Sequence, residues 1–225
     1  MKSNYIILIP AYNAQNSIEE LLARIDSVCP DVQIIVVDDG STDDTAIVVK
    51  NVGSPIYLAN KRNLGKGAAL IRGIDYIKKY FPDCAAVIFI DSDLQHLPEK
   101  IPEFIDAFEK GRGTFILGKR EFVLQKMPVA RIVSNFITSA IVSLKVKKRI
   151  FDSQCGFRLV SLEILKLSAP FQSKKYEFET EILIKAAKNS GNFYHIPIPT
   201  IYDNEVSYIN GFRDTIAFVR TFFKY

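Results

Sequence analysis

The sequence predicts an α/β fold, a mostly parallel sheet with helices on both faces. Three observations predict it. Short apolar runs without alternation recur in the first half of the chain, as strands buried on both faces require. Segments with apolar residues at helical spacing separate them. Strand alternating with helix implies βαβ units, and right-handed crossovers make such neighbours parallel. Size agrees: 225 residues, 48% apolar and 24% charged, suit one globular domain over 1–225 that buries a core without a metal or disulfide staple. That composition excludes a disordered, collagen-like or coiled-coil chain.

The elements follow in order. Tyr5 to Ile9 is the first strand, ending at Pro10. Ser17 and Glu20 have the spacing of a capping box, and Ile18, Leu21, Leu22, Ile25 and Val28 form a helical face behind it. Ile34 to Val37 is a second strand, closed by Asp38 and Asp39; a helix from Asp44 to Asn51 and a short strand at Ile56 to Leu58 follow. One of the two aspartates is expected to cap that helix. Gly65-Lys66-Gly67 opens a helix to about Tyr80, and Ala85 to Ile90 is the next strand. Pro98 suits a first helical turn, with Ile101, Phe104, Ile105 and Phe108 inward. Thr114 to Leu117 and Phe193 to Ile196 read as further strands, with His195 structural.

Charge is uneven in a chain of net +4. Between Lys110 and Arg149 stand ten basic residues and one acid, Glu121. Such a run is either a solvated face or a surface for an anionic ligand or membrane. Three separated cysteines, Cys29, Cys84 and Cys155, form no disulfide pattern, so a reducing cytoplasm is expected. No signal peptide is read at the start. The charge-free stretch Ile132 to Leu144 is too short for a bilayer, which takes about 20 apolar residues.

Three strands end in polar clusters: Pro10-Ala11-Tyr12-Asn13, Asp38-Asp39 and Asp91-Ser92-Asp93. In open parallel sheets ligands bind outside the carboxyl ends of the strands, so the clusters predict one crevice. A dinucleotide site needs GxGxxG after the first strand, and no glycine stands there. A P-loop fails too, with Asn60 and Gly67 at two of its required positions. Asp91 and Asp93 are hard oxygen donors for a divalent cation that also touches phosphates. Gln95 and His96 follow within the same loop.

Five segments occur in a set order: Ile-Pro-Ala-Tyr-Asn (9–13), Val-Asp-Asp-Gly-Ser-Thr-Asp-Asp-Thr (37–45), Asn-Leu-Gly-Lys-Gly (63–67), Asp-Ser-Asp-Leu-Gln-His (91–96) and Asp-Ser-Gln-Cys-Gly-Phe-Arg (152–158). Together they resemble family 2 glycosyltransferases of the GT-A fold, a Rossmann-like sheet with helices on both faces. Within that family they look most like the dolichyl- or polyprenyl-phosphate sugar synthases, over residues 4 to 218. The resemblance implies an inverting, metal-dependent transfer of a hexose from a nucleotide sugar of the UDP-glucose or GDP-mannose type. It places Pro10, Ala11, Tyr12, Asn13, Val37, Asp39 and Ser92 at the nucleotide. Asp91, Asp93 and Gln95 would hold Mg²⁺ or Mn²⁺, with Lys66 at the donor phosphates. Arg120, Arg131 and Ser134 match positions used for an acceptor phosphate. Ala14 departs from the pattern, which often has Glu there.

A hydroxyl acceptor needs a general base, whereas a phosphate monoester is already an anion at neutral pH. The basic 110–149 segment favours the phosphate. Asp152 stays among the catalytic candidates with Asp93, Arg120 and Arg131, as a base for the alternative: a same-fold enzyme acting on a glycan or glycolipid hydroxyl. A non-catalytic nucleotide-sugar-binding module is the third reading. Cys155, Phe157 and Ile90 are expected in the core. Of Glu177, Glu179 and Glu181, two are expected in solvent and one facing the sugar. Expected partners are the nucleotide sugar, a lipid phosphate, the cytoplasmic membrane surface and an integral-membrane protein, with no nucleic acid. Residues 211–225 carry five aromatic residues, with Arg213, Arg220 and Lys224 on one helical face. They read as a membrane-surface helix.

Overall fold

The computed structural model describes residues 4–121, 129–201 and 220–225, without the side chains of 129–131. Seven strands form one sheet: β1 (Tyr5–Ala11), β2 (Gln33–Asp38), β3 (Ile56–Ala59), β4 (Ala86–Phe89), β5 (Phe115–Arg120), β6 (Arg158–Ser161) and β7 (Phe193–Ile198). Their order is β3-β2-β1-β4-β6-β5-β7. β1 lies parallel to β2 and β4, β2 to β3, and β5 to β7. β6 is antiparallel to both β4 and β5. The mostly parallel sheet is as predicted. β6 was not foreseen: it has four residues and opens on a charged one, so neither period marks it.

The helices are α1 (Ile18–Val28), α2 (Thr45–Val52), α3 (Lys66–Tyr80), α4 (Ile101–Glu109), α5 (Val129–Val146), α6 (Leu162–Ser168) and α7 (Phe178–Lys188). Every residue of β1 is buried because alternate side chains enter two cores. Ile7 and Ile9 pack with Leu21 and Ile25 of α1 and with Phe104 of α4. Ile6 and Leu8 pack with Leu70 and Ile74 of α3 and with Ile182 of α7. This is why the strand reads as an unbroken apolar run. Cys155 and Phe157 are fully buried in the first of these cores, with Ile90. Burial pushes the Cys155 thiol up to about 12, so it is a packing residue.

Register sets the position of the site. Pro10 stands beside Val37 and Ala11 beside Asp38, while β4 pairs with the first half of β1 in the same direction. The three parallel strands therefore end on one edge, and the polar clusters that follow them share it.

Two capping expectations fail. Ser17 precedes α1 but makes no side-chain cap. Its hydroxyl donates instead to the Ser92 carbonyl at 2.7 Å, across 75 residues. Glu20, no box partner, pairs with Arg24 at 3.2 Å on the surface. Nor does Asp38 or Asp39 cap α2. Asp38 accepts from the Ser41 N–H at 2.8 Å and the Tyr57 hydroxyl at 2.6 Å. Asp43 receives the Thr45 N–H at 3.1 Å. A tertiary bond has displaced the local one at Ser17, so Ser17→Ala is expected to cost about 1 kcal/mol in urea unfolding. Glu20→Ala should stay within about 0.5 kcal/mol, as for an exposed ion pair; a capping box would make the two losses similar.

Candidate active site

The centre of the site is the loop after β4. The Lys66 ammonium, on the first residue of α3, lies 2.7 Å from Asp91 Oδ1 and 2.8 Å from Glu179 Oε1. Burial alone would lower its pKa, but Asp91 and Glu179 together raise it well above the ordinary lysine value. Asp91 answers in kind: burial opposes its ionisation, and Lys66 with His96 nevertheless holds it far below the usual carboxylate range. Asp93 differs. Burial and the neighbouring Asp91 charge both raise its pKa. Two carboxylates competing for ionisation form a site that a cation relieves.

The loop is fixed at several points. Gln95 N–H donates to Asp93 Oδ1 at 3.0 Å, and Leu94 turns the chain with φ 60°. Such a conformation is costly for leucine and is held by its surroundings. The Ser17 hydroxyl pins Ser92 from the other side. His96 is buried, its Nε2 3.7 Å from Asp91 Oδ2 and its ring near Phe157. No β-carbon fits at Gly156, which would collide with the Asp91 carboxylate. The 152–158 motif thus needs glycine where its backbone crosses the aspartate.

Around the other two strand ends, the predicted nucleotide residues are stitched into loops. Asn13 takes a left-handed conformation (φ 51°), donates its N–H to Ser41 Oγ at 2.9 Å and accepts from the Thr42 N–H at 2.9 Å. Asp39, nearly fully buried, accepts from Asn60 Nδ2 and the Gly65 N–H, each at 2.7 Å, and from the Leu64 N–H at 3.1 Å. Asp39 thereby ties the end of β2 to the loop that carries Lys66. Tyr12 is half-buried; Pro10, Ala11, Ala14 and Val37 are buried. The start of α3 is covered by the 173–175 backbone, with Ala68 N–H donating to the Lys174 carbonyl at 2.9 Å. The Lys66 side chain is the cation that faces the Asp91 and Glu179 carboxylates.

The acceptor candidates gather at the end of β5. Arg120 grips Asp152 with two donors, Nε to Oδ2 at 2.7 Å and Nη2 to Oδ1 at 3.0 Å. Asn135, on the buried face of α5, donates to Oδ1 at 2.9 Å. Asp152 is fully buried; burial works against its charge, but Arg120 and Asn135 outweigh it and lower the pKa. The Asp152 carboxylate is thus held in an ion pair with the Arg120 side chain at the end of β5. Ser134 lies exposed on α5. Arg131 stands on the same helix, and its side chain lies outside the described residues.

Arg158 was not expected at the site, and Glu179 was raised only as one of three acids of which one would face the sugar. Glu179 and Glu181 are buried, and only Glu177 is half-buried, against the expectation that two are solvated. Glu181 pairs with Lys185 at 2.8 Å and accepts from the Ser173 N–H at 2.7 Å, holding the 171–175 loop. Arg158 is buried and donates to the carbonyls of Cys155 (2.6 Å), Ser153 (2.8 Å) and Glu179 (3.0 Å), with burial lowering its pKa. It joins the 152–158 loop to the start of α7. Their spacing in sequence carries no such signal. His195 behaves as expected, packed edge-on against Phe151 at 4.9 Å, and burial lowers its pKa to about 4.

Among the described residues no three His, Cys, Asp or Glu side chains converge as a metal cage. Asp91, Asp93 and the Gln95 amide still place hard oxygen donors within one loop, a donor chemistry that fits Mg²⁺ or Mn²⁺.

Residues 6–167 match glycosyl transferase family 2. The chain belongs to that family. This family 2 glycosyltransferase is 32% identical to a UDP-N-acetylglucosamine–dolichyl-phosphate N-acetylglucosaminyltransferase of Methanococcus voltae, over 94% of this chain and 91% of the relative. It is 26% identical to polyprenol monophosphomannose synthase of Mycolicibacterium smegmatis, over 86% of this chain and 76% of the relative. Its fold resembles glucosyl-3-phosphoglycerate synthase from Mycobacterium tuberculosis in complex with Mn²⁺ and UDP-glucose, at TM-score 0.73 and 20% identity, covering 96% and 75% of the two chains. The chain is a glycosyltransferase with the GT-A fold, as its motifs indicated.

The buried Arg120–Asp152 pair sets an acid limit. The Asp152 pKa is lower folded than unfolded, so its stabilisation is complete above about pH 5 and fades as pH falls toward the folded value. Asp152→Asn is expected to lose about 3 kcal/mol at pH 7 and to unfold with a flatter acid limb. Parallel limbs in wild type and variant, measured by urea unfolding from pH 7 to pH 3, would show that the pair does not form.

Proposed function

We propose that the protein transfers a hexose or N-acetylhexosamine from a nucleotide sugar to a polyprenyl or dolichyl phosphate at a membrane surface. The observation that carries the acceptor is the state of Asp152. It is locked under Arg120 and Asn135, so the acceptor side presents a cation in place of a base. A phosphate monoester is dianionic near neutral pH and attacks without losing a proton, given a cation to seat it. A sugar hydroxyl would need the base that Asp152 no longer supplies.

On the donor side, Asp91, Asp93 and Gln95 would hold Mg²⁺ or Mn²⁺. Charge neutralisation on the leaving diphosphate is the chemistry such an ion supplies when bound. Lys66 adds a fixed positive charge beside Asp91, and Asp39 with Asn13 shapes the loops where the nucleoside would lie. The relatives named for dolichyl phosphate and polyprenol monophosphate support the acceptor class. The first-named relative favours UDP-N-acetylglucosamine over the two hexose donors expected from the motifs.

Testing requires a donor panel of UDP-N-acetylglucosamine, UDP-glucose and GDP-mannose, with Mn²⁺ and with or without polyprenyl phosphate. Transfer to lipid phosphate is expected from one of them and should stop in excess EDTA. Asp93→Asn should cut the rate by about 10³-fold or more with the fold intact. Arg120→Lys, which keeps charge but loses the two-donor grip, should raise the acceptor KM with donor affinity unchanged. Transfer to a sugar hydroxyl without lipid phosphate, or full activity in EDTA, contradicts the proposal.

A further inference from the structure

Among the described residues, helix α5 has one face packed on the protein and an opposite apolar face that is exposed. Asn135, Ser139, Val142 and Val146 face the body of the protein and are buried. On the opposite side Val133 (49% exposed), Phe136 (72%), Ile137 (51%) and Leu144 (79%) project outward. At 100° per residue these four, with exposed Ala140, fall within one arc about 100° wide. Soluble monomers seldom leave so continuous an apolar stripe in water.

The surroundings are basic. No Asp or Glu occurs from Phe122 to Phe151. Lys147, Lys148 and Arg149 are exposed at the end of the helix. Lys119 and Arg149 both stand against the Phe151 ring, at 4.7 and 4.5 Å. The last described turn lies alongside, with Lys145 over the Phe222 ring at 5.0 Å and Phe223 79% exposed. Thr221 is buried, and Lys185 stands over the Tyr225 ring at 4.5 Å, so this turn is packed on the body; 211–219 lie outside the described residues.

We propose that the outer face of α5 is a membrane-docking surface, seating Phe136, Ile137 and Leu144 in the interface of an anionic bilayer with the basic cluster on its headgroups. An apolar face rimmed by cations and free of acids has the chemistry of an interfacial helix. A second copy of the chain is a poorer occupant. The stripe has Arg131 towards one end and Lys145 to Arg149 at the other, so either way of pairing two copies brings cations together. The inference deepens the lipid-phosphate reading and rests on it for its purpose. The other face of α5 holds Asp152 through Asn135, so one helix would link the bilayer surface to Arg120. Among the described residues no helix is long and apolar enough to cross a membrane.

Flotation with vesicles of phosphatidylglycerol and phosphatidylcholine tests it, using the full chain, Phe136→Glu/Leu144→Glu, and Phe223→Glu. Wild type should float at low salt, and less so as salt rises, since the attraction acts over about 8 Å at physiological ionic strength. The α5 pair should weaken partitioning at least about tenfold, with an unchanged melting temperature because both positions are exposed. Undiminished flotation of the α5 pair overturns the proposal, as does complete loss in Phe223→Glu alone. Wild type that fails to float but dimerises in sedimentation, with the α5 pair monomeric, assigns the face to a second copy instead. Transfer to a short, water-soluble isoprenyl phosphate is measured in parallel. Its retention in the α5 pair supports docking as a separate function of the helix. Its absence from wild type, with flotation intact, defeats the acceptor reading and leaves the docking surface standing.

Discussion

One ammonium group joins three distant parts of the chain. Lys66 begins α3, Asp91 follows β4 and Glu179 lies in the first turn of α7, and all three meet within 2.8 Å contacts. Each charge is unfavourable where it sits, because burial disfavours ionised groups. Together they are stable, since Lys66 has opposite charges on two sides and Asp91 has Lys66 and His96. The remaining carboxylate, Asp93, is left with a raised pKa, because burial and the Asp91 charge outweigh the pull of His96 and Lys66. The surplus of negative charge at the strand ends is the chemical property from which the donor-side reading grows.

The rest of the site is scaffold for that cluster. Asp39 gathers the N–H groups of Leu64 and Gly65, which fixes where α3 starts and so where Lys66 stands. Gly65 itself has φ 103°, a conformation open to glycine, and a β-carbon there would strike the Lys174 carbonyl. Arg158 spends its guanidinium on three carbonyls and holds Glu179 and the 152–158 loop together. At the end of β5 the same logic recurs with the signs exchanged: buried Asp152 is stabilised by its pairing with Arg120. The two halves differ: one leaves the Asp93 carboxylate with a raised pKa, and the other closes on the Arg120–Asp152 ion pair.

Much of this was legible in sequence where periodicity or strand position carried it. β1 and β2 announced themselves as unbroken apolar runs, and parallel register then forced Asn13, Asp39 and Asp91 to one edge. Ser17 shows where local reasoning fails: a capping spacing was present, yet the hydroxyl found a partner 75 residues away. β6 escaped because a four-residue strand opening on a buried arginine has no period. Of Glu177, Glu179 and Glu181 two read as solvated acids at a helix start, since nothing nearby in sequence reveals that Lys66 reaches Glu179 and the 172–173 backbone reaches Glu181. The outer face of α5 was visible only as a charge-free stretch; which apolar residues lack a partner is a tertiary fact.

The central claim is that Lys66, held between Asp91 and Glu179, forms the donor-diphosphate site with the paired carboxylates. Calorimetric titration of UDP with Mn²⁺ into wild type and Lys66→Met tests it most directly. The account predicts Mn²⁺-dependent binding in wild type and a loss of at least about tenfold in the variant, as for removal of one charge-assisted contact, under conditions where circular dichroism shows the variant folded. Equal UDP affinity in the two proteins, or binding in wild type that ignores Mn²⁺, would contradict it.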